Sequence, residues 1–146
     1  MPGTPDSPET IVAFDFGLRR IGVAVGQDVT ASANPVAALR NSDSGPDWQA
    51  IAGIVNEWRP SRLIVGLPLH EDGSPSEMGI HIKAFIAELE RFELPIEQVD
   101  ERYSSIEASE LLKSDRAAGL GGRIKKEEID SMAAALIAMR WLERQH

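Results

Sequence analysis

The stretch IVAFDFGLRRIGVAVG, residues 11–26, decides the fold, because it reads as two strands joined by a tight turn. Residues 11–16 alternate and are rich in strand formers, and residues 20–26 do the same, with Ile21, Val23 and Val25 on one face. The intervening Gly17-Leu18-Arg19-Arg20 is short enough for a hairpin. Asp15 interrupts the first strand on the face shared by Ile11 and Ala13. Asp is a poor strand former, so its place there asks for a reason. It either presents a carboxylate to a site or braces the turn through Gly17 or Arg19.

Working outward, a third strand is expected over residues 31–38, where Pro35 implies an edge position or a bulge. A helix follows from Pro46 to Trp58, on the spacing of Trp48, Ile51, Val55 and Trp58. The apolar run 62–66 reads as a buried strand. Ser74-Pro75-Ser76-Glu77 has the form of a capping box and predicts a helix running to Phe92. A short strand over 95–99 comes next. Ser104 and Glu107 open a helix to Lys113, residues 114–125 form a glycine-containing loop, and a last helix covers 126–144. A three-stranded antiparallel meander followed by strand–helix alternation implies parallel strands with crossover helices. The fold class is therefore α/β, a ribonuclease-H-like mixed sheet with flanking helices. Residues 1–10 read as a disordered lead and 11–146 as one domain, which suits a chain of 146 residues.

Composition narrows the chemistry. There is no cysteine, so disulfides and thiolate metal sites are excluded. No apolar run reaches membrane-spanning length, and the first ten residues lack signal-peptide character, which makes a cytoplasmic location the expectation. A formal net charge of -8 argues against bulk electrostatic binding of nucleic acid but leaves room for a local basic surface. Lys113, Arg116, Arg123, Lys125 and Lys126 make such a cluster, read either as a phosphate-contacting loop or as a solvated loop and helix start.

Two further acids stand out. Glu101 follows a strand's carboxyl end, where ligand sites in open α/β sheets gather. Arg102 beside it could steer a phosphate, or the pair could be a local ion pair. Asp130 lies on the helical stripe of Ala133, Ala134, Ile137 and Trp141, whose small residues would let the helix approach the sheet. The alternative makes Asp130 the N-cap of a helix starting at Ser131. Arg19 and Arg20 either contact phosphate or sit at the hairpin tip. His70 and Asp72, in the loop after the 62–66 strand, read first as a surface histidine and a turn aspartate, though such loops also line active sites. Carboxylates on buried faces need compensation, which divalent cations provide while driving phosphodiester hydrolysis.

Taken in order, FDFGLRRIGVAVG, IVGLPLHEDGS, VDERYSS and IDSMAAALIA resemble the YqgF/RuvX family over residues 11–141. Members of that family are described as pre-16S rRNA nucleases and as Holliday junction resolvases. The resemblance implies a ribonuclease-H-like fold and carries an acidic triad onto Asp15, Glu101 and Asp130. His70 departs from an Asn common at its place, and Ser105 from a Thr, but neither touches the triad.

The expected activity is hydrolysis by one or two Mg²⁺ or Mn²⁺ ions held by the triad, with Arg19, Arg102 and the 113–126 basic residues on the phosphate backbone. Precursor 16S rRNA is the first substrate choice, in ribosome biogenesis and with a ribosomal particle as a candidate partner. Structured DNA such as a four-way junction is the alternative, and it calls for a dimer rather than a monomer or weak dimer. A non-catalytic RNA- or protein-binding module is the reading from another class. An actin-like ATP-binding protein is a further one, but it needs two such domains.

Overall fold

The computed structural model describes residues 9–67, 77–100 and 126–144, together with Ala108, Glu110, Leu111 and Lys113, which are helical. Strands β1 (Thr10–Phe16) and β2 (Arg20–Gln27) form the expected hairpin. β3 (Ser32–Ser42) extends the antiparallel meander, and the two-residue β4 (Gly45–Pro46) pairs only with Asn41 and Ser42. β5 (Arg62–Leu67) and β6 (Ile96–Asp100) lie parallel to β1 on its other side. The sheet order is β4-β3-β2-β1-β5-β6. Helices α1 (Trp48–Trp58), α2 (Gly79–Leu89) and α3 (Lys126–Arg144) flank it.

Alternation along β1 explains the layering. Val12 and Phe14 point into a core with Ile51 of α1 and Ile82, Phe85 and Leu89 of α2. Ile11 and Ala13 point the other way, against Ile137, Ala138, Trp141 and Leu142 of α3. Phe85 meets Phe14 edge-on, with ring centroids 5.5 Å apart. Because β1 is central and covered on both faces, its residues 11–14 are fully buried.

Several boundaries differ from expectation. Pro35 does sit at a bulge: it faces Ala24 while Ala37 faces Val23, so the register slips between them. β3, however, runs on to Ser42. α1 begins after Pro46, because Asp47 takes the N-cap and its side chain accepts a hydrogen bond from the Ala50 amide at 3.1 Å. Glu77 and Met78 form a turn and α2 opens at Gly79, later than the capping-box reading placed it. Ser74, Pro75 and Ser76 lie outside the described residues. Helix α2 ends at Leu89, and a 3₁₀ turn carries the chain to Phe92. Two residues before Ile11 also belong to the folded sheet region. Glu9 accepts hydrogen bonds from Ser61 and Arg62, and Thr10 already belongs to β1.

Candidate active site

The site face is set by a run of small residues on β2. Gly22, Ala24 and Gly26 share one face, opposite Ile21, Val23 and Val25. Helix α3 lies along this run. A Cβ placed on Gly22 would sit 2.0 Å from the Asp130 carbonyl oxygen, and one on Gly26 would sit 3.3 Å from the Ala138 Cβ. Between them, Ala24 packs with Ala134 and Ala135. Strand residues two apart thus meet helix residues four apart. Only a glycine at position 22 lets the helix backbone come this close.

That contact seats Asp130 beside the strand pair that carries Asp15. Asp15 is the cross-strand partner of Gly22. Directly opposed residues share a face, with Cα atoms about 4.5–5.5 Å apart. The Asp15 side chain therefore emerges on the face where Asp130 is pressed against Gly22. Asp130 lies inside α3, whose helix starts at Lys126, so it is not an N-cap. Its stripe neighbours Ala133, Ala134, Ile137 and Trp141 are all buried.

Arg20 completes this corner. Its Nε donates to Asp130 Oδ2 at 2.6 Å, with side chains 31% and 24% exposed. The hydrogen bond and charge of Asp130, with a further contribution from Glu127, raise the Arg20 pKa above its ordinary value. Arg40 stands directly across from Arg20 on β3 and so on the same face. It is exposed, and no ion pair of Arg40 is found among the described residues. Two guanidiniums facing each other repel unless one is neutralised, which Asp130 does here.

Asn41 braces the hairpin tip, donating through Nδ2 to the Gly17 carbonyl at 2.7 Å and through its amide to the Arg19 carbonyl at 2.9 Å. Arg140 of α3 donates from Nη1 to the Asp100 carbonyl at 2.8 Å, tying the end of β6 to the helix that carries Asp130. β1, β5 and β6 are parallel, so Asp15 and the end of β6 lie at the same end of the sheet, the carboxyl end of these strands. Replacing Arg140 by Ala should cost about 1.5–3 kcal/mol, the range for a hydrogen bond from a charged donor. Chemical denaturation would measure it, and an unchanged midpoint would contradict the tie.

Of the other expected site residues, Arg19 is exposed at the hairpin tip and Lys126 is exposed at the start of α3. The Lys113 Nζ lies 4.0 Å from Glu110. Glu101, Arg102, Arg116, Arg123, Lys125, His70 and Asp72 lie outside the described residues. Gly22, Arg40 and Arg140 were not singled out from sequence. Arg20 has the same strand parity as Gly22 and Ala24, a signal that could have placed it on the α3 face.

The donors suit a hard divalent cation, which prefers carboxylate oxygen. Among the described residues no group of three or more His, Cys, Asp or Glu could by itself hold a metal ion. Asp15 and Asp130 offer two carboxylates on one face, and the strand leading to Glu101 finishes at the same end of the sheet. No described helix is long and apolar enough to cross a membrane.

Comparison with known proteins agrees with this architecture. The family model RuvX, described as Holliday junction resolvase, matches residues 9–144. The chain is 44% identical over 143 residues to a protein of Nitrosococcus oceani named "Putative pre-16S rRNA nuclease", covering 97% of this chain and 91% of that one. A protein of the same name from Edwardsiella ictaluri is 42% identical over 142 residues, covering 96% and 99%. Among solved structures, Thermus thermophilus RuvC in complex with Holliday junction substrate superposes with a TM-score of 0.55 at 14% identity, covering 94% of this chain and 95% of that one. The yeast mitochondrial Holliday junction resolvase Ydc2 gives 0.55 at 10% identity, covering 92% and 78%. At such identities the structural likeness concerns the fold alone.

Proposed function

The chain belongs to the RuvX family, and from that premise we propose that it is a metal-dependent nuclease that matures the precursor of 16S rRNA in the cytoplasm. The observation that carries this reading is the seating of Asp130 against Gly22, the cross-strand neighbour of Asp15. It supports a site with carboxylate oxygens on one face, at the end of the sheet where β6 leads toward Glu101. The names borne by the relatives support precursor rRNA as the substrate.

A bound Mg²⁺ or Mn²⁺ would polarise the scissile phosphate and activate water. Asp15, Asp130 and Glu101 would hold it. Arg19 and Lys126, exposed near this corner, would contact backbone phosphates, with Arg102, Lys113, Arg116, Arg123 and Lys125 extending the basic surface and His70 and Asp72 lining the loop after β5. These are few contacts on a chain of net charge -8, so binding should weaken steeply with salt. A ribosomal particle could supply part of the binding surface.

A second reading has a specific support: the family description names Holliday junction resolution. A junction needs two sites related by a two-fold axis and therefore a dimer. The test is cleavage, with Mn²⁺ or Mg²⁺, of a precursor rRNA fragment, single-stranded RNA and a four-way DNA junction. Metal-dependent cutting of the precursor rRNA is expected. Cutting confined to the junction would replace the RNA reading, and no cutting of any substrate by a protein that does not bind metal would favour a non-catalytic module.

A further inference from the structure

We propose that Arg20 is a built-in counter-ion which occupies Asp130 until a divalent cation displaces it, and that the freed guanidinium then joins Arg40 in holding a phosphate of the nucleic acid. This rests on the metal reading above and adds the regulation of that same site.

The geometry argues for displacement rather than for a fixed support. Arg20 reaches Asp130 through Nε, at 2.6 Å from Oδ2. It thus holds one of the oxygens that a cation would need. Arg is always charged, so it opposes the approach of a second cation at every working pH. Both side chains remain partly exposed, 31% and 24%, which leaves the guanidinium room to leave without being stranded in the core. Without a cation, Arg20 neutralises the Asp130 carboxylate. With a cation bound, that neutralisation is redundant.

The position of Arg40 gives the released side chain a destination. Arg20 and Arg40 face each other across β2 and β3 on the α3 side of the sheet. Once Asp130 no longer neutralises Arg20, two guanidiniums stand together, an unfavourable pair alone and a favourable one around a phosphate. The order of events follows: metal first, substrate phosphate second. The metal-free protein would keep its arginine engaged and bind nucleic acid less well.

The experiment titrates Mn²⁺ alone against wild type, Arg20→Gln and Arg40→Gln, reading melting temperature. Arg20→Gln should lower the metal-free melting temperature and shift the Mn²⁺ midpoint to about 5- to 10-fold lower concentration. Arg40→Gln should leave that midpoint within about 2-fold, well inside the range of a coupled site. If Arg20→Gln does not fold without metal, withdrawal of Mn²⁺ by chelator from the loaded protein reads the same affinity. In parallel, binding of a precursor rRNA fragment in metal should lose about 0.7–0.9 from its log–log salt slope in either variant, the loss expected for one phosphate contact. A midpoint that rises in Arg20→Gln would make Arg20 a positioning residue for Asp130 and overturn the proposal. An unchanged midpoint would overturn it too, and an unchanged salt slope would overturn its phosphate half. No Mn²⁺-induced rise in the wild type would overturn both this proposal and the metal reading, whereas a rise there with no change in Arg20→Gln would sink this one alone.

Discussion

Asp15→Asn is expected to lower metal-dependent cleavage by about 10²–10³-fold or more, the range for removing one preorganised electrostatic group from a reacting centre. The substitution keeps shape and removes charge. Asp15 lies near the end of the central strand, opposite Gly22 and on the face that receives Asp130. Loss of its charge removes one oxygen anion from the proposed metal site. It also relieves repulsion between neighbouring carboxylates, so the metal-free variant should be as stable as wild type or slightly more so. Added Mn²⁺ should raise the melting temperature of wild type more than that of the variant. Turnover on the precursor rRNA fragment and thermal melts with and without metal check both halves. Full activity in Asp15→Asn would remove Asp15 from the site.

The second large effect concerns a residue with no side chain. Gly22→Ala would place a Cβ 2.0 Å from the Asp130 carbonyl oxygen and 2.4 Å from its carbonyl carbon. Both are backbone atoms inside a helix, so no side-chain rotation relieves the clash. The helix must move away from β2 by about 1 Å or more, because contacts below 3.0 Å are essentially never seen. Overpacking of this kind costs typically 1–3 kcal/mol, and a rigid backbone contact belongs at the upper end, about 3 kcal/mol. For a domain of this size that is a fall in melting temperature of about 6–12 °C. The movement also carries Asp130 away from Asp15, and a 1 Å misplacement can cost about 10²-fold in rate. Gly53 in α1 is the control, since a Cβ there meets nothing within 4 Å. Gly53→Ala should stabilise the protein by about 0.5–1 kcal/mol and leave cleavage unchanged. Equal melting temperatures for Gly22→Ala and wild type would contradict the close approach.

Much of the architecture was legible because β1, β2 and β5 are buried and patterned by the packing they enter. The hairpin, the bulge at Pro35 and the last helix follow from alternation, from proline's missing amide hydrogen and from the stripe through Asp130. Helix starts were less legible. Pro46 suits a first helical turn, yet Asp47 beside it is the better cap and moves the start past the proline. Asp15 stood out against its apolar strand neighbours and Asp130 by its place on an apolar helical stripe, whereas Glu101 lies outside the described residues. What joins Asp15 to Asp130 was harder to read, because a glycine registers as an absence. Gly22, Ala24 and Gly26 at a period of two, matched to Asp130, Ala134 and Ala138 at a period of four, are the signal that was there. Arg20 was read together with Arg19, as a phosphate contact or as part of the hairpin tip. Strand parity separates them, sending Arg20 to Asp130 and leaving Arg19 at the tip.

The central claim is that Asp15 and Asp130 hold a divalent cation on the face opened by Gly22. Crystals soaked in Mn²⁺ and measured at the manganese absorption edge would test it most directly. The expected result is an anomalous peak within metal–oxygen distance, about 2.0–2.6 Å, of both carboxylates. A peak elsewhere with these two carboxylates unliganded, in crystals of protein that cuts its substrate with Mn²⁺, would contradict it.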